Sequence, residues 1–190
     1  MRAIKTLLLI VLTLSFSAIA SGQKASESVS IKITEQAETY VITVPVSELL
    51  LTIPKNGLKR IVPLGQGATD SPRYFIFEDA ARHLILSGWF ESDDQFGGIK
   101  KYWTEAIAAR KKKNVPDALD VSFEKLGSWN TILFDTASQL IGVSNIEAHW
   151  VQHGTWIDLH LSLTSNDSKT ERRQKLRDAL TAIEVSEKKP

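Results

Sequence analysis

Two imidazoles and two carboxylates recur in one short stretch, at Glu147, His149, Asp158 and His160. Neutral imidazole with ionised carboxylate is a ligand set for Zn²⁺ and similar ions, and such pairs also do acid–base work. What they can do depends on what brings them together. The surrounding segment Ile146–Leu163, IEAHWVQHGTWIDLHLSL, alternates apolar and polar residues on both sides of His153-Gly154. That pattern predicts a β-hairpin with a two-residue turn. Residues whose numbers sum to 307 then become direct neighbours. Ile146–Leu161, Ala148–Leu159 and Trp150–Ile157 share one face. Glu147–His160, His149–Asp158 and Val151–Trp156 share the other. A slip of one residue would mix polar and apolar side chains on both faces, so the pattern selects its register.

Four adjacent side chains on a pleated surface stand nearly parallel, which favours pairwise contacts over a tetrahedron of ligands. The expected reading is therefore cross-strand ionic or hydrogen-bonded neighbours, each contributing about 0.2–1 kcal/mol. No metal and no cofactor is assigned. Glu147, His149, Trp156, Asp158 and His160 are kept as a candidate binding face. Trp156 lies on this polar side, so either a helix covers it or an exposed ring marks a binding surface.

Other motifs carry less. His149 and His153 have the spacing of a helical metal pair, but Trp150 stands where a zincin needs Glu, and the segment reads as strand and turn. There is no G-x-S-x-G elbow, no Ser-x-x-Lys with its partners and no P-loop. Gly65-Gln66-Gly67 reads as a turn. Glu91, Asp93 and Asp94 suit acid–base chemistry by type, but acids before a helix ordinarily cap it. The run Arg110–Lys113, with Lys100 and Lys101 upstream, is a weak electrostatic footprint for phosphate or an anionic surface, and reads first as a solvated helix end. Asn166-Asp167-Ser168 matches a glycosylation sequon, yet Ser168 is better placed as a helix cap.

The chain's start bounds the setting. Arg2 and Lys5, the apolar run Thr6–Phe16 and Ala18-Ile19-Ala20 form a signal peptide over residues 1–20 with cleavage near Ala20. Residues 21–28 read as a flexible leader and 29–186 as one α+β domain. Of 23 Lys and Arg, those two fall in the signal peptide, which leaves 21 against 22 Asp and Glu, a charge of −1. That balance gives no global argument for nucleic acid or an anionic membrane, and no nucleic-acid partner is expected. The absence of cysteine rules out disulfides, thiol catalysis and lipid attachment through an N-terminal Cys, so burial alone must hold the fold.

Strands are expected at Val29–Thr34, Thr39–Val44, Leu49–Ile53, Arg73–Phe77, Arg82–Phe90, Leu119–Phe123 and Trp129–Thr136, besides the central hairpin. Arg60–Pro72 reads as a surface loop and Ser138–Asn145 as a linker. Phe96, Ile99, Trp103, Ala106, Ile107 and Arg110 fall at helical spacing. A second helix opens on a capping box, Ser168-Lys169-Thr170-Glu171, with Leu176, Ala179, Leu180 and Ile183 as its apolar stripe. The inventory is a mostly antiparallel sheet of about seven to nine strands with two helices.

Taken with YVITVPVSELLLTIPKNG near the start and KLRDALTAIEV near the end, the hairpin AHWVQHGTWIDLHLSL resembles the PsbP/Mog1-like superfamily over about Thr39–Val185. The resemblance implies an α/β/α sandwich around an antiparallel sheet. Its members include photosystem accessory proteins, a Ran-binding protein and bacterial envelope proteins of unknown role, so it also implies a binding or assembly role rather than an enzyme. No functional residue carries over one by one, and fold alone licenses no function. The expectation is an exported, non-enzymatic accessory or interaction protein, periplasmic or secreted, with a protein partner and no stable membrane anchor. The alternative is a small-ligand- or metal-binding module using the polar face of the hairpin.

Overall fold

The computed structural model describes residues 31–45, 47–61, 73–137 and 141–188; the expected signal peptide and leader, and most of the loop 60–72, lie outside them. The elements in order are β1 (Lys32–Glu35), β2 (Thr39–Thr43), β3 (Leu49–Pro54), β4 (Lys59–Arg60), β5 (Tyr74–Asp79), β6 (Leu84–Ser92), a 3₁₀ turn (Asp93–Gln95), α1 (Ile99–Lys112), β7 (Ala118–Leu126), β8 (Trp129–Thr136), β9 (Gly142–Gln152), β10 (Thr155–Ser165), α2 (Lys169–Thr181) and β11 (Glu184–Glu187). All strand pairings among them are antiparallel. The fold is α+β, as expected, with the strands divided between two sheets. Four form the order β1-β2-β3-β11 and seven the order β4-β5-β6-β10-β9-β8-β7.

The central hairpin has the expected register, Ile157 opposite Trp150 through Leu161 opposite Ile146. It is longer than its alternation suggested. β9 begins at Gly142, so part of the expected linker is strand. Its turn is left-handed at both positions, with φ 51° at His153 and 72° at Gly154, the geometry of a type I′ turn that matches strand twist. Strand boundaries elsewhere moved by a few residues. The β5–β6 turn lies at Ala80–His83, and two strands had no alternation long enough to see. β4 has two residues, and β11 forms where Val185 packs beside β3.

Each face of the large sheet is covered differently. Leu84, Leu86, Ile157, Leu159 and Leu161 join Ile42, Leu51 and Ile53 of the small sheet and Leu176 and Leu180 of α2 in one apolar cluster. On the opposite face, Ile132 and Phe134 pack under Tyr102 and Ala106 of α1. Gly88 sits beneath Phe75 and Leu159, where a Cβ would overlap both. No helix among the described residues is long and apolar enough to cross a membrane.

α2 is anchored as its sequence predicts at the start. Ser168 Oγ accepts from Glu171 N and Glu171 returns the bond to Ser168 N, both halves of a capping box. Its docking adds polar contacts that the apolar stripe did not reveal. Arg172, 8% exposed, donates to Ser144 Oγ at 3.0 Å. Arg173 reaches Asp135 at 2.7 Å, and Arg177 grips Glu124 with two nitrogens at 2.7 and 3.2 Å.

Two substitutions probe this account. Ser168→Ala removes the cap acceptor and should lower unfolding free energy by about 1 kcal/mol in denaturant titration. Gly154→Ala puts a Cβ into a left-handed position and should cost about 1–2 kcal/mol by the same measurement. An unchanged midpoint in either would contradict the corresponding local geometry.

Candidate functional site

The polar face of the hairpin is a buried interior rather than a surface, because α1 lies across it. Phe96 precedes α1 across Gly97-Gly98, and Gly98, with φ 94°, holds the helix N-terminus in a conformation open to glycine. Tyr102, Ala106 and Arg110, spaced four apart, are the buried residues of the helix. Tyr102 faces β9 and β10, and Ala106 and Arg110 lie over Ile132 and Phe134 of β8. Glu147 is 2% exposed and His149 is fully buried, whereas Asp158, His160 and Trp156 are partly covered.

The structure brings all five expected residues together and adds Tyr102, Arg110 and Asn145. Trp156 Nε1–H donates to His149 Nδ1 at 3.2 Å, which places the proton of a neutral imidazole on Nε2. Asp158 Oδ1 approaches the same Nδ1 at 3.4 Å, and Tyr102 Oη donates to Asp158 Oδ2 at 3.3 Å. His160 Nε2–H donates to Asn145 Oδ1 at 3.3 Å, while Asn145 Nδ2 reaches Thr136 Oγ1. Arg110 donates to the Pro116 carbonyl at 2.7 Å and stacks over Phe134 at 5.0 Å. Phe96, Tyr102 and Trp156 close around the His149 ring at 5.4, 4.1 and 5.9 Å between centroids.

Desolvation decides the charges. Burial, with the neighbouring Asp158 charge, pushes Glu147 up to about 8, and Arg110 only partly opposes this. Burial pushes Asp158 up to about 7 against the Tyr102 bond. The imidazoles move the other way. Burial takes His149 down to about 3, and burial with nearby Arg110 takes His160 down to about 4. Near neutrality both imidazoles are neutral and Glu147 holds its proton, while Asp158 is close to its midpoint in a cluster that also holds the Arg110 guanidinium. The Nδ1 lone pair is already taken by Trp156, so a proton on Asp158 relieves the repulsion between its carboxylate and that nitrogen. Glu147 Oε2, His149 Nε2 and Arg110 Nε find no partner among the described residues, so the cluster carries a desolvation cost.

Chemically this is a proton-holding network closed by aromatic rings. The four titratable groups do not converge on one point, and no group of three His, Asp or Glu among the described residues is arranged to hold a metal ion. The contacts are pairwise, as parallel side chains on a pleated strand require. Trp156 has the helix-covered position that one of its two expected readings demanded. Arg110 was visible in sequence on the helix stripe. Tyr102 lies outside the expected stripe, although it stands four residues before Ala106. Ile107, read as part of that stripe, is 37% exposed instead.

A second feature comes from residues far apart in the chain. A cleft of about 520 Å³ opens where the β3–β4 turn, the β5–β6 turn, the end of β10 and α2 meet. Leu58, Leu84, Leu161, Leu163, Ala179 and Ile183 form its wall, and Arg82, His83, Asp167 and Lys175 stand at its mouth. Arg82 is tied to Asp79 and to the Asn56 carbonyl, and Lys175 is tied to Asp167. The mouth is thus largely self-neutralised.

The buried cluster sets a pH profile. Glu147 and Asp158 bind protons more tightly in the native state than in the unfolded chain, where such groups titrate at about 4. Their contribution is present at low pH and lost as pH rises toward 7–8. His149 and His160 bind protons less tightly when folded, so theirs is present above about 6.5 and lost as pH falls toward 3–4. Between about 4.3 and 6.5 the two trends offset each other. Asp79, Asp120, Asp167 and Glu171, all held low largely by hydrogen bonds and ion pairs, steepen the acid side, which leaves the alkaline side diagnostic. Unfolding free energy should fall by roughly 1–3 kcal/mol from pH 6.5 to 8. In Glu147→Gln/Asp158→Asn the alkaline limb should flatten; an unchanged slope would place those carboxyls in solvent.

Compared with known proteins, the chain matches no family model and no curated protein.

Proposed function

We propose that this chain is an exported, non-enzymatic accessory protein of the cell envelope, PsbP/Mog1-like in fold, that works by recognition and takes a small amphipathic molecule in its cleft. The single observation that carries the recognition reading is the cleft of about 520 Å³, floored by the edge of the apolar core, a volume within the range of small-molecule sites. The residues best suited to chemistry by type, Glu147 and His149, are packed away beneath α1. Export rests on the basic, apolar and A-x-A pattern of residues 1–20. The sandwich reading is supported by α1 on one face of the large sheet and α2 on the other.

The ligand class follows from the two ends of the cleft. Aliphatic walls favour a hydrocarbon chain, each buried methylene being worth about 0.8 kcal/mol. A mouth whose charges already satisfy one another favours a head group that is uncharged overall. A single-chain lipid such as a decanoyl glycerol fits both.

Binding is measured with Nile red, an uncharged apolar dye. Its fluorescence should rise on adding the protein, fall as monodecanoylglycerol displaces it, and fall less with decanoate. Ala179→Trp, which projects an indole into the cleft from α2, should reduce dye binding at least tenfold while leaving the circular dichroism spectrum intact. Equal binding by the variant would rule the cleft out.

A further inference from the structure

The outer side of α1 and the edge strand β7 carry an apolar strip that the cleft does not use. Phe123 is 49% exposed and Ile107 37%. Trp103, half-buried against Phe134 at 5.1 Å, adjoins them with its ring meeting Phe123 edge-on at 6.5 Å. Lys100, Trp103, Ile107 and Lys111 recur at three- and four-residue steps and share one stripe of α1. Lys125 follows Phe123 by two residues in a stretch of regular pairing, Phe123 with Ile132 and Lys125 with Asn130, so both point to the α1 side.

Charge is sorted across β7. Its acids are taken by α2, Asp120 by Lys169 at 2.8 Å and Glu124 by Arg177 at 2.7 Å. Lys100, Lys111 and Lys125 have no ion pair among the described residues. Lys100 also sits in the first turn of α1, which has no acid and where the helix dipole disfavours a cation. Its position does not serve the helix. What remains is an exposed aromatic and aliphatic strip bordered by unpaired ammonium groups.

We propose that this strip, Trp103, Ile107 and Phe123 with Lys100, Lys111 and Lys125, is a docking surface for an anionic lipid bilayer. Charge complementarity selects the occupant. Ammonium groups are compact point charges without the fixed fork of a guanidinium, so they suit a diffuse layer of phosphate head groups. The one arginine of α1 is buried. Exposed Phe and Ile beside lysines supply the apolar insertion that interfacial binding requires. β7 carries a bulge between Leu119 and Ser122, with Asp120 at φ 51°. The bulge interrupts the edge and disfavours strand pairing with another chain.

The test is co-sedimentation of the chain beginning at Ser21 with vesicles of phosphatidylglycerol and phosphatidylcholine in equal parts, and with phosphatidylcholine alone. The protein should bind the anionic vesicles at low salt, release as salt rises, and ignore the neutral ones. Lys100→Gln/Lys111→Gln/Lys125→Gln should lower partition roughly 100-fold. Ile107→Ser/Phe123→Ser should lower it with the salt dependence retained, and the exposed control Lys32→Gln/Lys59→Gln should leave partition within a fewfold of wild type. All substituted positions are exposed, so unchanged thermal unfolding confirms folding. Absence of binding, equal binding by all variants, or stronger capture by a soluble acidic peptide would overturn the proposal. Ala179→Trp separates this surface from the cleft: vesicle binding that persists in it belongs to the strip, and vesicle binding lost with it belongs to the cleft and sinks the docking reading.

Discussion

Both faces of one hairpin are buried, and only one of them is apolar. Ile146, Ala148, Trp150, Ile157, Leu159 and Leu161 drive burial on the first side by ordinary desolvation. The second side carries Glu147, His149, Asp158 and His160 into the interior, and everything packed against it must accommodate them. α1 answers with Tyr102 and Arg110 rather than an all-aliphatic face. The rest of the accommodation is protonation. Carboxyls pushed up and imidazoles pushed down reduce the charge buried there, which avoids the much larger penalty of isolated buried ions.

The two helices divide the electrostatic labour. α2 uses Arg172, Arg173 and Arg177 to neutralise acids and hold Ser144 on the sheet, with planar guanidinium groups in bonds of fixed direction. α1 turns its one arginine inward and leaves its lysines outside. The interior is therefore polar but low in charge, and Lys100, Lys111 and Lys125 stand on the outer face of α1 and β7.

Period-two alternation around His153-Gly154 was enough to specify register, because a one-residue slip would have exchanged every side chain between faces. The capping box at Ser168 was equally legible, since its bonds join residues three apart. Short pairings were not. β4 and β11 are too brief to alternate, and their strand character comes from the neighbours beside them. Gly142–Asn145 reads as linker, yet β10 extends it into strand. The same logic explains the cleft, whose walls come from four separate segments with no common local pattern.

By itself the sequence determined the α+β class, the hairpin and its register, the two helices, and the five polar and aromatic residues that meet on one side of β9 and β10. These are properties of spacing, and spacing is local. Only the tertiary structure decided that this side is interior. Whether a helix covers a strand face depends on where a distant segment docks, which no period within the strand encodes. That docking changes the chemistry as well as the exposure. In water the same Glu and Asp would be ionised and the same His residues would titrate near neutrality. Under α1, desolvation reverses those preferences.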